Sequence, residues 1–293
     1  MKFFDKLHPL SEFFYFAAVI LLTTLSANPI ISGLSLIFAV LFCGFYTGVK
    51  KLFSSLLCAL PLMIIIALIN PIFVHKGDTI LFFLNDNPVT KEAVLYGVFS
   101  SVTISAVYYW CKAYNEIITS DKFIYLFGKI APKLSLLLSL IIGFIPKLKK
   151  KYKQIDEAQK ALGVYASKSY VDKIASKFRV LSILLTDSLE NSVGVADSMQ
   201  ARGYGLKGRT SYSPFVFTFY DGAVLLLTAL AGGAAIILCA LKTADFGFYP
   251  TLTPMIFGVK ECILYACSAI VFALCSIIEI KEEIKWACLK SKI

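Results

Sequence analysis

The sequence predicts an all-α polytopic membrane protein, with about six transmembrane helices and long cytoplasmic or interfacial helices between spans four and five. Three observations carry this. Charged residues make up only 16% of the 293 residues and apolar ones 58%, where a soluble domain has about 25% charged. The shortage falls into long uncharged runs. The basic residues that do occur are concentrated between two of those runs. Hydrocarbon offers backbone N–H and C=O groups no partner, so uncharged runs of about 20 residues must be helices.

The first run lies between Glu12 and Lys50 and contains 37 residues. As one helix it would reach about 55 Å, against about 30 Å of hydrocarbon. Ser26-Ala27-Asn28-Pro29 is turn chemistry and divides it into spans at about 12–27 and 30–48. Further spans follow at 52–74, 92–111, 215–241 and 257–279. Asp221 and Glu261, near span ends, are expected at the membrane interfaces. MKFFDKLHPL, at the start, contains an acid and precedes no small-residue cleavage site, so it is not read as a cleavable signal. Three regions result: 1–118 with four spans, 119–213 between spans, and 214–293 with two spans.

Charge orients these elements. Residues 147–209 hold 13 Lys and Arg against six Asp and Glu, which is +7 of the net +10. Lys147, Lys149, Lys150, Lys151 and Lys153 lie where the positive-inside rule counts. It places 112–213 in the cytoplasm, together with Lys2, Lys6, Lys50 and Lys51, and 76–91 outside. Lys281, Lys285, Lys290 and Lys292 are then inside as well, so both termini are expected to be cytoplasmic.

The segment 119–213 has helical periodicity. LSLLLSLIIGFIP (134–146) is too short to span and suits an interfacial or re-entrant helix, with Pro132 before it and Pro146 near its end. A basic helix is expected over 147–162. A second long helix, or a broken pair, is expected over 170–202, with a greasy face built from Val180, Ile183, Leu184, Leu189, Val193, Ala196 and Met199.

No catalytic constellation is present. There is no phosphate loop, GxSxG or HExxH. Six of the eight cysteines lie inside spans and none forms CxxC, which fits buried apolar cysteine. His8 and His75 lack a second ligand at metal spacing. A self-contained transporter or channel would need an ionisable site near the bilayer midplane, a membrane enzyme would need paired catalytic groups, and a membrane scaffold would need neither.

The segment between spans four and five contains a short repeat. DEAQKALGVY (156–165) and ADSMQARGYG (196–205) align forty residues apart. Ala161-Leu162-Gly163 falls on Ala201-Arg202-Gly203, Glu157 on Asp197, and an aromatic follows each glycine. Read alone, either is a helix end with a glycine C-cap. Two matched tips suit a partner that is a dimer or pseudo-dimer, because symmetry asks for matched contacts.

With these features on the page, the chain resembles the transmembrane T component, the EcfT/CbiQ family, of energy-coupling factor (ECF) ABC transporters. The resemblance runs through His8-Pro9-Leu10, Asn28-Pro29, INPIFVHKGDTILFF (69–83) and NPVTKEAVLYG (87–97). It continues through TSDKFIYLFGKIAPKLSLLLSLIIGFIPKLKKKYKQIDEAQKALG (119–163), which is similar to the first coupling region. LENSVGVADSMQARGYG (189–205) is similar to the second and is the most specific.

The resemblance implies a non-catalytic subunit of the cell membrane that binds no cofactor and no nucleic acid. ATP is used by partners: two ABC ATPase subunits, alike or different, seated on the cytoplasmic coupling helices. One substrate-binding S component carries a vitamin or a transition-metal ion such as cobalt or nickel. Each coupling helix ends in a three-residue motif centred on arginine, which enters an ATPase groove. Arg202, between Ala201 and Gly203, matches that arginine. Leu162, between Ala161 and Gly163, departs from it, so the two contacts are expected to be unequal. Lys160 is the one cation beside it. The expected S-component contacts are Leu134, Leu137, Leu138, Ile141, Ile183 and Leu184.

Overall fold

A computed structural model describes residues 7–84, 87–128, 131–163, 170–206, 215–244, 246–254 and 258–290. Lys2, Lys6, Tyr165 and Lys292 lie outside the described residues. The chain divides into two compact units. Unit 1 is Met1–Lys122 with Phe215–Ile293, and unit 2 is Phe123–Pro214.

Unit 1 opens with α1, Pro9–Leu25, and α2, Pro29–Thr47. Each starts with proline, whose missing N–H is no loss in a first turn, and each has a side-chain cap before it. His8 Nδ1 accepts from the Leu10 N–H at 3.2 Å, and Asn28 Oδ1 from the Ile30 N–H at 2.9 Å. Gly48, at φ 87°, turns α2 into α3, Val49–Phe73. Residues 80–90 carry a small antiparallel hairpin, β1 Ile80–Leu84 with β2 Asn87–Thr90. The charge pattern predicts only an external connection over 76–91. α4 follows at Lys91–Ile117, capped by Thr90 Oγ1 on the Ala93 N–H. After unit 2, α8 Phe219–Leu227, a π turn Thr228–Gly232 and α9 Gly233–Ala240 make one helical run, and α10 is Val259–Lys290.

Five of the described helical segments are long and apolar enough to cross a membrane: Pro29–Thr47, Lys50–Phe73, Lys91–Ile117, Phe219–Ala240 and Val259–Lys281. α1 is apolar but has 17 residues, about 25 Å of helix against about 30 Å of hydrocarbon. The six expected spans are therefore five long helices and one short one. α1 also begins earlier than the expected 12, so Glu12 lies inside its first turn and is buried.

The core of unit 1 gathers on Trp110 of α4. Its ring stacks with Phe42 of α2 and Phe272 of α10 at centroid distances of 6.1 and 6.3 Å. Burying indole leaves an N–H to satisfy. Trp110 Nε1 donates to Ser35 Oγ at 3.0 Å, and Ser35 shares a 2.8 Å bond with Thr23 of α1. Asn28 also donates to the Tyr265 hydroxyl of α10 at 2.8 Å. The turn residue that separates the first two spans thus also fastens them to the last.

α3 contributes little to this core. Leu57, Ile64, Ile65 and Leu68 are exposed, as side chains facing lipid would be. It contacts α4 at a proline. Pro71 has no N–H for the Ala67 carbonyl, and Gly97 of α4 approaches that same oxygen. A methyl group at Gly97 would lie 2.6 Å from Ala67 O and 3.3 Å from Asn70 Cβ. Asn70 Nδ2 donates to the Ala93 carbonyl at 2.8 Å and closes the contact. Gly97→Ala is expected to force α3 and α4 apart and cost about 1–3 kcal/mol. A lower thermal unfolding midpoint in detergent checks this, and an unchanged midpoint contradicts it.

Unit 2 holds the rest of α5, Ser120–Gly128, then α6, Pro132–Ala161, and α7, Tyr170–Ala201. One expectation changes here, and one pair of alternatives is decided. The apolar stretch 134–146 and the basic stretch 147–162 are one 30-residue helix, and Pro146 lies inside it. Pro146 removes only its own donor, and the turns on both sides carry enough helical bonds to continue. Residues 170–201 form one unbroken helix of 32 residues. α6 and α7 pack together, and Lys151 pairs with Asp187 across them at 2.7 Å.

Candidate functional site

The two tips of the sequence repeat close their helices in the same way. Ala161 and Ala201 are the last residues of α6 and α7. Leu162 and Arg202 stand at the C-cap, and Gly163 and Gly203 follow at φ 72° and 78°. In the second tip the Gly203 N–H donates to Gln200 O at 2.9 Å and the Tyr204 N–H to Met199 O at 3.0 Å. These crossed bonds are a Schellman closure, which needs a left-handed residue after the C-cap. In the first tip the Gly163 N–H donates to Lys160 O at 3.0 Å, the equivalent inner bond. The outer bond would come from Val164, outside the described residues.

The closure turns the chain away at once and leaves the C-cap side chain at the end of the helix. Leu162 is 74% exposed, and Ala161, Gly163, Ala201 and Arg202 are exposed too, with Gly203 partly covered. Among the described residues the Arg202 guanidinium has no ion pair and no side-chain hydrogen bond. A guanidinium is a rigid five-donor fork that can bind a carboxylate bidentately.

The first tip has no such group. Lys160, the nearest cation in sequence, is held by Asp156 at 2.6 Å. That bond raises the lysine's pKa and keeps it charged, but fixes it one turn back along α6. Glu157 lies 3.8 Å from Lys153, while its counterpart in the repeat, Asp197, is exposed. The tips share a backbone and differ in chemistry.

Leu134, Leu137, Leu138 and Ile141 are exposed along α6, which has no buried residue. On α7, Ile183 is exposed and Leu184 partly covered. Ile141 also lines a groove between the two helices with Phe144, Ile145 and Leu148, and Lys151, Asp187 and Asn191 line its polar part. The greasy face expected from periodicity is thus present and largely uncovered within unit 2.

Residues 2–212 match the CbiQ family, cobalt transport protein. The match takes in both tips and the helices that carry them. The chain belongs to the CbiQ family. Among its relatives, the energy-coupling factor transporter transmembrane protein EcfT of Listeria innocua is 35% identical over 103 residues, 34% of this chain and 39% of the relative. The EcfT of Brevibacillus brevis is 25% identical over 182 residues, 58% of this chain and 68% of that one. The EcfT of Streptococcus thermophilus is 34% identical over 115 residues, 39% and 42% of the two chains. The chain thus spans about two fifths of the Listeria and Streptococcus relatives and about two thirds of the Brevibacillus one.

Sequence reasoning missed a group of buried charges in this family member. Asp221, near the start of its span, is fully covered by protein neighbours. It closes a capping box at the start of α8, where Asp221 Oδ2 accepts from the Thr218 N–H at 2.7 Å. Glu12 is buried against Lys122 of α5, whose Nζ lies 2.7 and 2.9 Å from its two carboxylate oxygens. The partners are 110 residues apart, so no local spacing signals the pair.

Gly203→Ala is expected to weaken the second tip's closure. The new Cβ would meet Leu206 Cδ1 at 3.1 Å, a flexible chain end that can yield, so the left-handed backbone is the main cost, about 1–2 kcal/mol. Faster amide exchange at Tyr204 checks it, and unchanged exchange there would contradict the assignment.

Proposed function

We propose that this CbiQ-family chain is the energy-coupling transmembrane subunit of an ECF-type ABC importer. The observation that carries the reading is the pair of exposed helix tips with one backbone closure, one of them presenting an unpaired arginine. Two ABC ATPase subunits take one tip each, and one S component supplies the bound vitamin or transition-metal ion. Arg202 enters a groove on one ATPase and is held there by acceptor groups. Leu162 fills an apolar pocket on the other, so the two ATPase contacts are chemically different.

In this reading ATP binding draws the ATPases together and displaces α6 and α7. Their exposed apolar faces, including Leu134, Leu137, Leu138, Ile141, Ile183 and Leu184, pass that displacement to the S component. The chain itself does no bond chemistry and works in the plasma membrane with both termini cytoplasmic. Buried Glu12 and Asp221 do not favour a self-contained transporter. Glu12 and Asp221 lie in first turns of their helices and are satisfied by protein partners, whereas an ion pathway needs accessible groups near the midplane.

Affinity purification of the intact chain should bring down two ABC ATPase subunits. Arg202→Glu should lower uptake about tenfold or more, since an unmatched charge in a desolvated contact costs about 2–5 kcal/mol. Leu162→Ala should cost less than about tenfold, the range for one truncated apolar contact. Uptake measured in cells carrying each variant checks both. Wild-type uptake with Arg202→Glu would remove Arg202 from the contact.

A further inference from the structure

The chain leaves unit 1 once, after Lys122, and returns once, at Phe215. Both crossings are fastened to the same five residues. α1 begins at Pro9, and its first turn with its cap, His8 to Glu12, holds a partner from each side. On the outgoing side, Lys122 gives its ammonium to both oxygens of Glu12. On the returning side, the His8 N–H donates to Asp221 Oδ1 at 2.7 Å, and the Ser11 hydroxyl donates to the Asp221 carbonyl at 3.2 Å. The His8 ring meets Phe217 edge to face at 5.3 Å. His8, Ser11, Glu12, Lys122 and Asp221 are all buried.

We propose that the first turn of α1 is the anchor through which displacement of unit 2 is passed to unit 1, with Glu12, Lys122 and Asp221 as positioning residues for coupling. This rests on the function proposed above. Two covalent connections join the units, and any displacement of unit 2 loads both. α5 continues from Lys122 into unit 2 as one helix, Ser120–Gly128, so a load on it reaches Lys122 directly. A buried ion pair resists being parted, because separating it would leave a charge without a partner away from water. An apolar contact of the same volume would bury as well and still slip. Asp221 has the same role on the other connection. One carboxylate fixes the start of α8 through the Thr218 N–H and hydroxyl and joins it to His8.

The test uses the complete complex of this chain with its co-purified ATPases and S component, reconstituted in proteoliposomes. Uptake per ATP hydrolysed is read with a radiolabelled vitamin (riboflavin or biotin) or radioactive cobalt(II), whichever the unmodified complex accumulates. The doubly neutral variant Glu12→Gln/Lys122→Met leaves no unpaired charge and is expected to assemble normally. Its uptake per ATP is expected to fall about fivefold or more, within the range known for residues that carry coupling. The swapped variant Glu12→Lys/Lys122→Glu is expected to recover most of that loss. Unchanged uptake per ATP in the doubly neutral variant overturns the proposal. So does its failure to accumulate, which would make the pair a folding element. A wild-type chain that recruits no ATPase overturns the functional reading first, and the anchor with it.

Discussion

A carboxylate with no exposed side-chain surface must be protonated or paired, and Glu12 is paired. Removing water from a single charge costs several kcal/mol, and only close, well-oriented partners return it. Lys122 meets that condition with two bonds, and it does so from a helix that starts 108 residues after Glu12 in sequence. The pair dictates where α5 begins against α1. It also dictates what can surround it: the same turn of α1 must keep His8 and Ser11 close enough to bind Asp221. The N-terminal turn of a short apolar helix is therefore the most constrained place in unit 1.

The remainder of α1 packs from that turn. Tyr15, one turn beyond Ser11, gives its hydroxyl to the Val271 carbonyl of α10 at 3.1 Å. Phe16 packs edge on to Trp110, and Thr23 joins the Ser35 bond that satisfies the Trp110 indole. Gly232, in the π turn after α8, sits opposite Ala18: a methyl there would meet Ala18 Cβ at 3.5 Å. A π turn widens the helix locally, and small residues let the backbones approach. α1 is short for a bilayer helix, yet it touches α4, α10 and the α8–α9 run. Its length matters less than its neighbours, because they supply the burial that hydrocarbon would not distinguish.

Much of this was legible in sequence, and the physical reasons differ by element. Uncharged runs located the apolar helices, because a bilayer penalises charge. Asn28-Pro29 located a break, because cap and first-turn chemistry are local. Ala161-Leu162-Gly163 and Ala201-Arg202-Gly203 located two helix ends, because a left-handed closure selects glycine. The Glu12–Lys122 pair was not legible, since opposite charges far apart in sequence carry no period. The contact of Asp221 with His8 was not legible for the same reason, since the two lie 213 residues apart. Pro146, expected near the end of a helix, lies inside α6, because proline ends a helix only where neighbouring turns cannot hold it. The hairpin at Ile80–Thr90 went unread between two strong helical signals.

The closure at the two tips is not itself a docking signal. α9 ends in the same crossed bonds, with the Lys242 N–H on Cys239 O and the Thr243 N–H on Leu238 O. There Lys242 takes the left-handed position at φ 55° without being glycine. An Ala-Leu pair precedes it, as at the first tip. The backbone device is thus a general way of stopping a helix, complete twice among the described residues, after α7 and α9, and with its inner bond after α6. Unit 2 differs in what the device displays. In the first tip it presents an apolar side chain beside a lysine already bound to Asp156. In the second it presents a guanidinium with no acceptor among the described residues. Glycine makes both turns sharp, but only the C-cap side chain can tell one partner surface from another. Left-handed glycines at matched positions therefore leave the C-cap residue, Leu162 or Arg202, as the chemical difference between the two tips.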